Sequence, residues 1–113
     1  MPLAPPVVPT TPLETAEERL AHDVERLARD LEQRGPDGER LRDDERHVAV
    51  DERRVRSFRA LPHHRVGCGA GDPRWLLVAA YEHLAAAYRA CGQAERSATA
   101  AHRARCERSP LTA

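Results

Sequence analysis

The chain has no lysine: all 18 of its basic residues are arginine. Alanine is abundant beside them. Both residues have GC-rich codons, so the composition points to a bacterial source of high genomic GC and bears little on function. Aromatic residues make up only 4% of the 113 positions. A core must therefore rest on Leu, Val and Ala, and this length supports one modest core with a thin stability margin. Cysteine is scarce and odd in number, at Cys68, Cys91 and Cys106. Residues 1–11 show no basic signal-peptide start and are broken by Pro2, Pro5, Pro6 and Pro9. These features predict free thiols in a reducing cytoplasm. No apolar run reaches the roughly 18–20 residues of a membrane span, so no membrane partner is expected.

Charge is plentiful, and it is unevenly placed. Residues 1–52 hold fourteen Asp/Glu against seven Arg, and residues 53–113 hold four against eleven. An acidic half is thus joined to a basic half, and the net charge is zero. Either the halves fold together and neutralise each other, or the basic half meets a polyanion or an acidic partner.

The pattern predicts an all-α protein of about four helices in two antiparallel hairpins. A Pro-rich tail, expected to be disordered, covers 1–11; its Pro6-Val7-Val8-Pro9 fits a P-x-x-P docking pattern. Residues 12–61 form an acidic hairpin. Thr11, Pro12 and Glu14 supply an N-cap, a first-turn proline and a capping box. Leu13, Leu20, Val24, Leu27 and Leu31 then share one stripe, with the 4-3-4 steps of a coiled-coil seam from Leu20 onward. Residues 35–38, Gly-Pro-Asp-Gly, end that helix. In the next helix Leu41, Val48 and Val55 recur every seven residues and Phe58 joins them. Asp44 and Asp51 interrupt the same seam, and Val48-Ala49-Val50 would also suit a short strand. A Gly/His-rich loop follows at 62–72. A second hairpin occupies 73–110, with Asp72-Pro73 at its start, Gly92 at its turn and Ser109-Pro110 at its end. Trp75, Leu76, Tyr81, Leu84 and Tyr88 are expected to form much of the core. Residues 12–110 would make one compact domain.

The second hairpin carries Tyr81-x2-Leu84-Ala85-x2-Tyr88, then Gly92, Ser97-x3-Ala101, Ala104 and Pro110. In this it resembles a single tetratricopeptide-repeat unit, with Tyr for Trp, Ala for Gly and Ala for Phe at the family's marker positions. The resemblance covers the C-terminal third. It implies two helices held close by small residues at Ala85, Ser97 and Ala104, and a role in binding other proteins.

Other patterns suggest chemistry less directly. Gly67-Cys68-Gly69-Ala70-Gly71-Asp72 looks like the glycine loop of S-adenosylmethionine-dependent methyltransferases, but Arg65 stands where an acid belongs and no further strands follow. His102 and Cys106 are four apart on a helix and could share a metal ion with Cys91, Cys68 or His63-His64, yet no C-x2-C is present. Cys68 near a helix start could be a reactive thiol. No Ser/His/Asp order and no P-loop is visible. We therefore assign no catalytic, cofactor-binding or metal-ligating residue and expect no cofactor. The expected function is a non-catalytic interaction or scaffold module. It would bind a protein partner, or a second copy, through the stripe Leu20, Val24, Leu27 and Leu31, unless the third helix covers that stripe within the chain. Arg96 and Arg103, seven apart on the last helix, are the candidate contacts of the basic half; one alternative function is a nucleic-acid-binding regulator that uses them, and another is a fragment of an S-adenosylmethionine-dependent methyltransferase.

Overall fold

The computed structural model describes residues 11–62 and 71–112. Among them it holds four α-helices and no strand: α1 (Pro12–Arg34), α2 (Glu39–Arg59), α3 (Pro73–Ala90) and α4 (Ala94–Thr112). They form two antiparallel hairpins, α1–α2 and α3–α4. Most of the expected tail, and loop residues 63–70 with His63, His64 and Cys68, lie outside the described residues. None of the helices is long and apolar enough to cross a membrane.

The ends of α1 follow from local chemistry. Thr11 Oγ1 accepts the Glu14 N–H at 3.1 Å, and the Glu14 carboxylate accepts the Thr11 N–H at 3.3 Å, which completes the reciprocal capping box. At the other end Gly35 takes φ +78° and returns its N–H to the Leu31 carbonyl. That conformation favours glycine. At α3 the Asp72 carboxylate accepts the Arg74 N–H at 3.0 Å and pairs with the Arg74 guanidinium at 2.7 Å.

α2 is helical throughout, which decides the strand question at residues 48–50. Val48 is buried while Val50 is 43% exposed. An alternating strand would have turned both to the same face, whereas the helical period groups Val48 with Leu41 and Val55. α4 departs from expectation, running through Pro110 to Thr112. Proline there removes only the hydrogen bond to residue 106, in the last turn, and the helix closes beyond it.

α1 and α3 lie side by side at the centre; α2 covers α1, and α4 covers α3. The two central helices run parallel. His83 lies between Glu25 and Glu32, and Cys91 reaches the Leu31 carbonyl near both C-terminal ends. Their buried stripes match. Leu20, Val24, Leu27 and Leu31 step 4-3-4 along α1, and Leu77, Tyr81, Leu84 and Tyr88 do the same along α3. This spacing is what two parallel helices need to interdigitate.

Leu76 is a correction. Expected in the core, it is 51% exposed, and Trp75 is only partly buried. α3 is apolar on nearly all sides, so its composition does not reveal which face turns inward. Replacing buried Leu84 with Ala should destabilise the fold by about 2–5 kcal/mol through the cavity it leaves. Leu76→Ala should change stability by less than about 0.5 kcal/mol. Urea titrations followed by circular dichroism compare the two, and equal losses would refute this assignment of faces.

Candidate functional site

The stripe expected to meet a partner is covered within the chain. Leu20, Val24, Leu27 and Leu31 are each at most 2% exposed, packed in the common core with α3. The helix that answers the coiled-coil seam is therefore α3 of the same molecule. The second helix of its own hairpin is too poor in apolar side chains to cover it. Sequence spacing alone could not say whether the matching stripe lay in this chain or in another.

Arg96 and Arg103 are likewise engaged. Arg96 meets Glu45 at 3.0 Å, and Arg103 meets Glu52. On α2, Glu45, Glu52 and Arg59 recur every seven residues. On α4 the sequence of charges is Arg96, Arg103 and Glu107, and Arg59 binds Glu107 at 2.7 and 2.8 Å. Two acids and a base on one helix thus face two bases and an acid on the other. Parallel helices in this register attract at all three levels, and a shift of one heptad would oppose like charges. The halves of the chain neutralise each other along this line.

Beneath these pairs is a cleft of about 240 Å³ between α2 and α4. Leu27, Tyr81, Leu84 and Tyr88 contribute to its floor, and Val48 and Ala100 to its sides. The Tyr81 hydroxyl donates to Glu52 at 3.0 Å, while Arg96 lies 5.9 Å from the centre of the Tyr88 ring. Burial and the adjacent Glu52 push the Tyr81 phenol well above its ordinary range. It stays protonated and acts as a donor.

Arg59 was not singled out from sequence, yet it joins three helices. Its guanidinium binds Glu107 of α4 and also Glu17 of α1, the latter at 2.6 Å. Glu17 is fully buried. Burial disfavours the charged arginine, but its hydrogen bonds to Glu107 and Glu17 outweigh that and hold the cation more firmly than usual. His83, also unanticipated, bridges Glu25 at 2.7 Å and Glu32 at 2.6 Å. Burial opposes its protonation, and the two carboxylates overcome that opposition to raise its pKa. The sequence signal for α2 and α4 was available in the seven-residue spacing that Glu45 and Glu52 share with Arg96 and Arg103. For Glu17 and His83 no local signal exists, because their partners lie 42 and more than 50 residues away.

The outer face between α3 and α4 has a different character. A channel of about 310 Å³ runs along it, with Ala85, Ala86, Ala101 and Ala104 as its floor. Arg89, Arg105 and Arg108 rim it, with Glu82 as the one acid among the described residues. Glu82 pairs with Arg108. The small residues let the helices approach closely enough for Ser97 Oγ to donate to the Ala85 carbonyl at 2.8 Å. The remaining sequence candidates are scattered. Cys106 lies 3.5 Å from His102 on the exposed side of α4, Cys91 is partly buried against α1, and Cys68 is outside the described residues. No group of three metal-ligating side chains occurs among the described residues.

Removing Arg59 would take a cation away from the buried Glu17 and from Glu107 together. Arg59→Ala should cost about 1.5–3 kcal/mol, the range for losing hydrogen bonds to charged groups. Breaking the outer Glu52–Arg103 pair should cost under about 1 kcal/mol, because Arg103 is half exposed and screened by solvent. Unfolding curves for the single variants check both. A near-neutral Arg59→Ala would mean the three-helix junction adds nothing. The comparisons with known proteins find no matching family model, no matching curated protein and no matching solved structure.

Proposed function

We propose that this chain is a non-catalytic interaction module that receives an acidic helix of a partner protein along the α3–α4 channel. The observation that carries this reading is the channel's make-up. Its alanine floor lets a third helix approach the backbone closely, and its rim is predominantly arginine. Arg89 and Arg105 are exposed and have no acidic partner among the described residues. A helix bearing small apolar residues on one face, flanked by Glu or Asp, complements both features. The tetratricopeptide-like pattern of Tyr81, Leu84, Ala85 and Tyr88 supports the same role. Arginine rims also suit phosphates, so a nucleic acid is the competing ligand. Arg96 and Arg103, the contacts first expected for it, are paired with Glu45 and Glu52.

The test titrates the protein with an amphipathic Ala/Glu-rich helical peptide and, separately, with a short DNA duplex. The peptide should bind, and Arg89→Glu combined with Arg105→Glu should weaken it at least tenfold without lowering the melting temperature. Binding of the duplex alone, falling steeply with salt, would replace the protein-partner reading with the nucleic-acid one.

A further inference from the structure

α2 is attached chiefly to α1, and this interface contains two pairs of facing carboxyls. Asp44 of α2 meets Asp30 of α1, and Asp51 of α2 meets Asp23 of α1. Asp23 and Asp30 are seven residues apart, as are Asp44 and Asp51, so the pairs repeat about 10.5 Å apart along the antiparallel helices. Asp30 and Asp44 are each 7% exposed and Asp51 5%. One oxygen of Asp44 and one of Asp51 are buried without a hydrogen-bond partner among the described residues. Two ionised carboxylates are both acceptors and cannot bond each other; one proton between them makes one a donor.

We infer that the α1–α2 interface is a proton-operated clasp, closed when each aspartate pair shares a proton and strained when both members are ionised. The surrounding charges do not remove the need for those protons. Arg54 is 3.7 Å from Asp51, with Arg19 on its α1 side. Arg40 is 3.3 Å from Asp30, with Arg34 beyond it, and Arg26 acts on Asp44 and lies 3.8 Å from Asp23. From α4, Arg96 and Arg103 are directed to Glu45 and Glu52 on another side of α2, and His83 of α3 lies against Glu25 and Glu32. Burial first, and the facing carboxyl second, push Asp44 and Asp51 up to about 6. Asp30 is lowered, chiefly by the hydrogen bond from Asp44.

The direction of the pH effect follows from linkage. An unfolded aspartate titrates near 3.8, so folding takes up protons at Asp44 and Asp51 between about pH 4 and 6. Their stabilisation is present in full below the unfolded value and is lost as pH rises through about 6. The lowered Asp30 acts oppositely, favouring the fold as pH rises above its folded value, so the pair is best satisfied at a pH between the folded values of its two members. His83, with its raised pKa, contributes stability below about 6.5 that is lost only as pH passes its folded value, a separate and higher window.

The experiment measures the unfolding constant of the full chain at pH 5 and pH 7.5, for wild type and for Asp44→Asn combined with Asp51→Asn. Asparagine donates to the facing carboxylate at every pH and so imitates the protonated form. The wild-type constant should rise across this interval by roughly tenfold per pair more than that of the variant. The variant should also be the more stable protein at pH 7.5. Equal pH dependence of the two proteins would overturn the clasp. Carbon NMR titration of the wild-type aspartates serves as a second readout that does not depend on the variant folding. Two carboxyls titrating near pH 6 support the inference, and all titrating near 4 refutes it. Stabilisation of the wild type at pH 7.5 by millimolar Mg²⁺ or Ca²⁺, absent from the variant, would show that the pairs hold a cation and would also overturn it.

Discussion

The fold depends on how few large apolar side chains this sequence has, and on their concentration in two helices. α1 and α3 present matching stripes, Leu20 to Leu31 and Leu77 to Tyr88, and bury them against each other. These side chains make the hydrophobic contribution that drives folding, of order 1.5–3 kcal/mol for each fully buried residue before entropy is counted. α2 adds Leu41, Val48 and Val55, with Phe58 partly buried against the core, and α4 adds mainly Ala100 and Ala104. Neither outer helix can be held by apolar contact alone across its full width.

Charge fills the remainder, and the degree of burial separates its roles. Where the side chains are half exposed, as at Arg96 and Arg103, ion pairs chiefly set the relative register of α2 and α4 and add little energy. Where one member is buried, as Glu17 is beside the partly exposed Arg59, losing a cation costs more, because a poorly compensated charge in that position is expensive. The aspartate pairs between α1 and α2 are the third case: largely buried groups of like charge, which the proposed clasp makes compatible by a proton in addition to nearby arginines. The same helix, α2, therefore carries an attractive charge pattern toward α4 and a proton-dependent one toward α1.

The second hairpin solves its packing differently. Ala85, Ser97 and Ala104 are buried where α3 and α4 meet, so backbone proximity replaces side-chain bulk. The same economy leaves an open channel on the outer face, with arginines at its edge. Close packing inside and an unfilled groove outside have one cause, the shortage of large side chains on α4. That groove is the surface on which the proposed partner helix would lie.

Helix number, the capping box at Thr11 and Glu14, and the glycine stops at residues 35 and 92 were legible in the sequence, because these signals act within a few residues of where they are written. So were the stripe on α1 and the anomaly of Asp44 and Asp51, since helical periodicity reports which residues share a face. What each face meets was not legible. The α1 seam looks the same whether its partner is α3 or another molecule, and only the tertiary structure puts it in the core. Arg96 and Arg103 likewise read as a basic surface until α2 is placed beside them with Glu45 and Glu52 in the same seven-residue register. Arg59, Glu17 and His83 acquire their roles solely from long-range contacts. Sequence determines what a helix can offer through local backbone and side-chain chemistry; which offer is taken up is decided when all four helices compete for the same small supply of apolar surface.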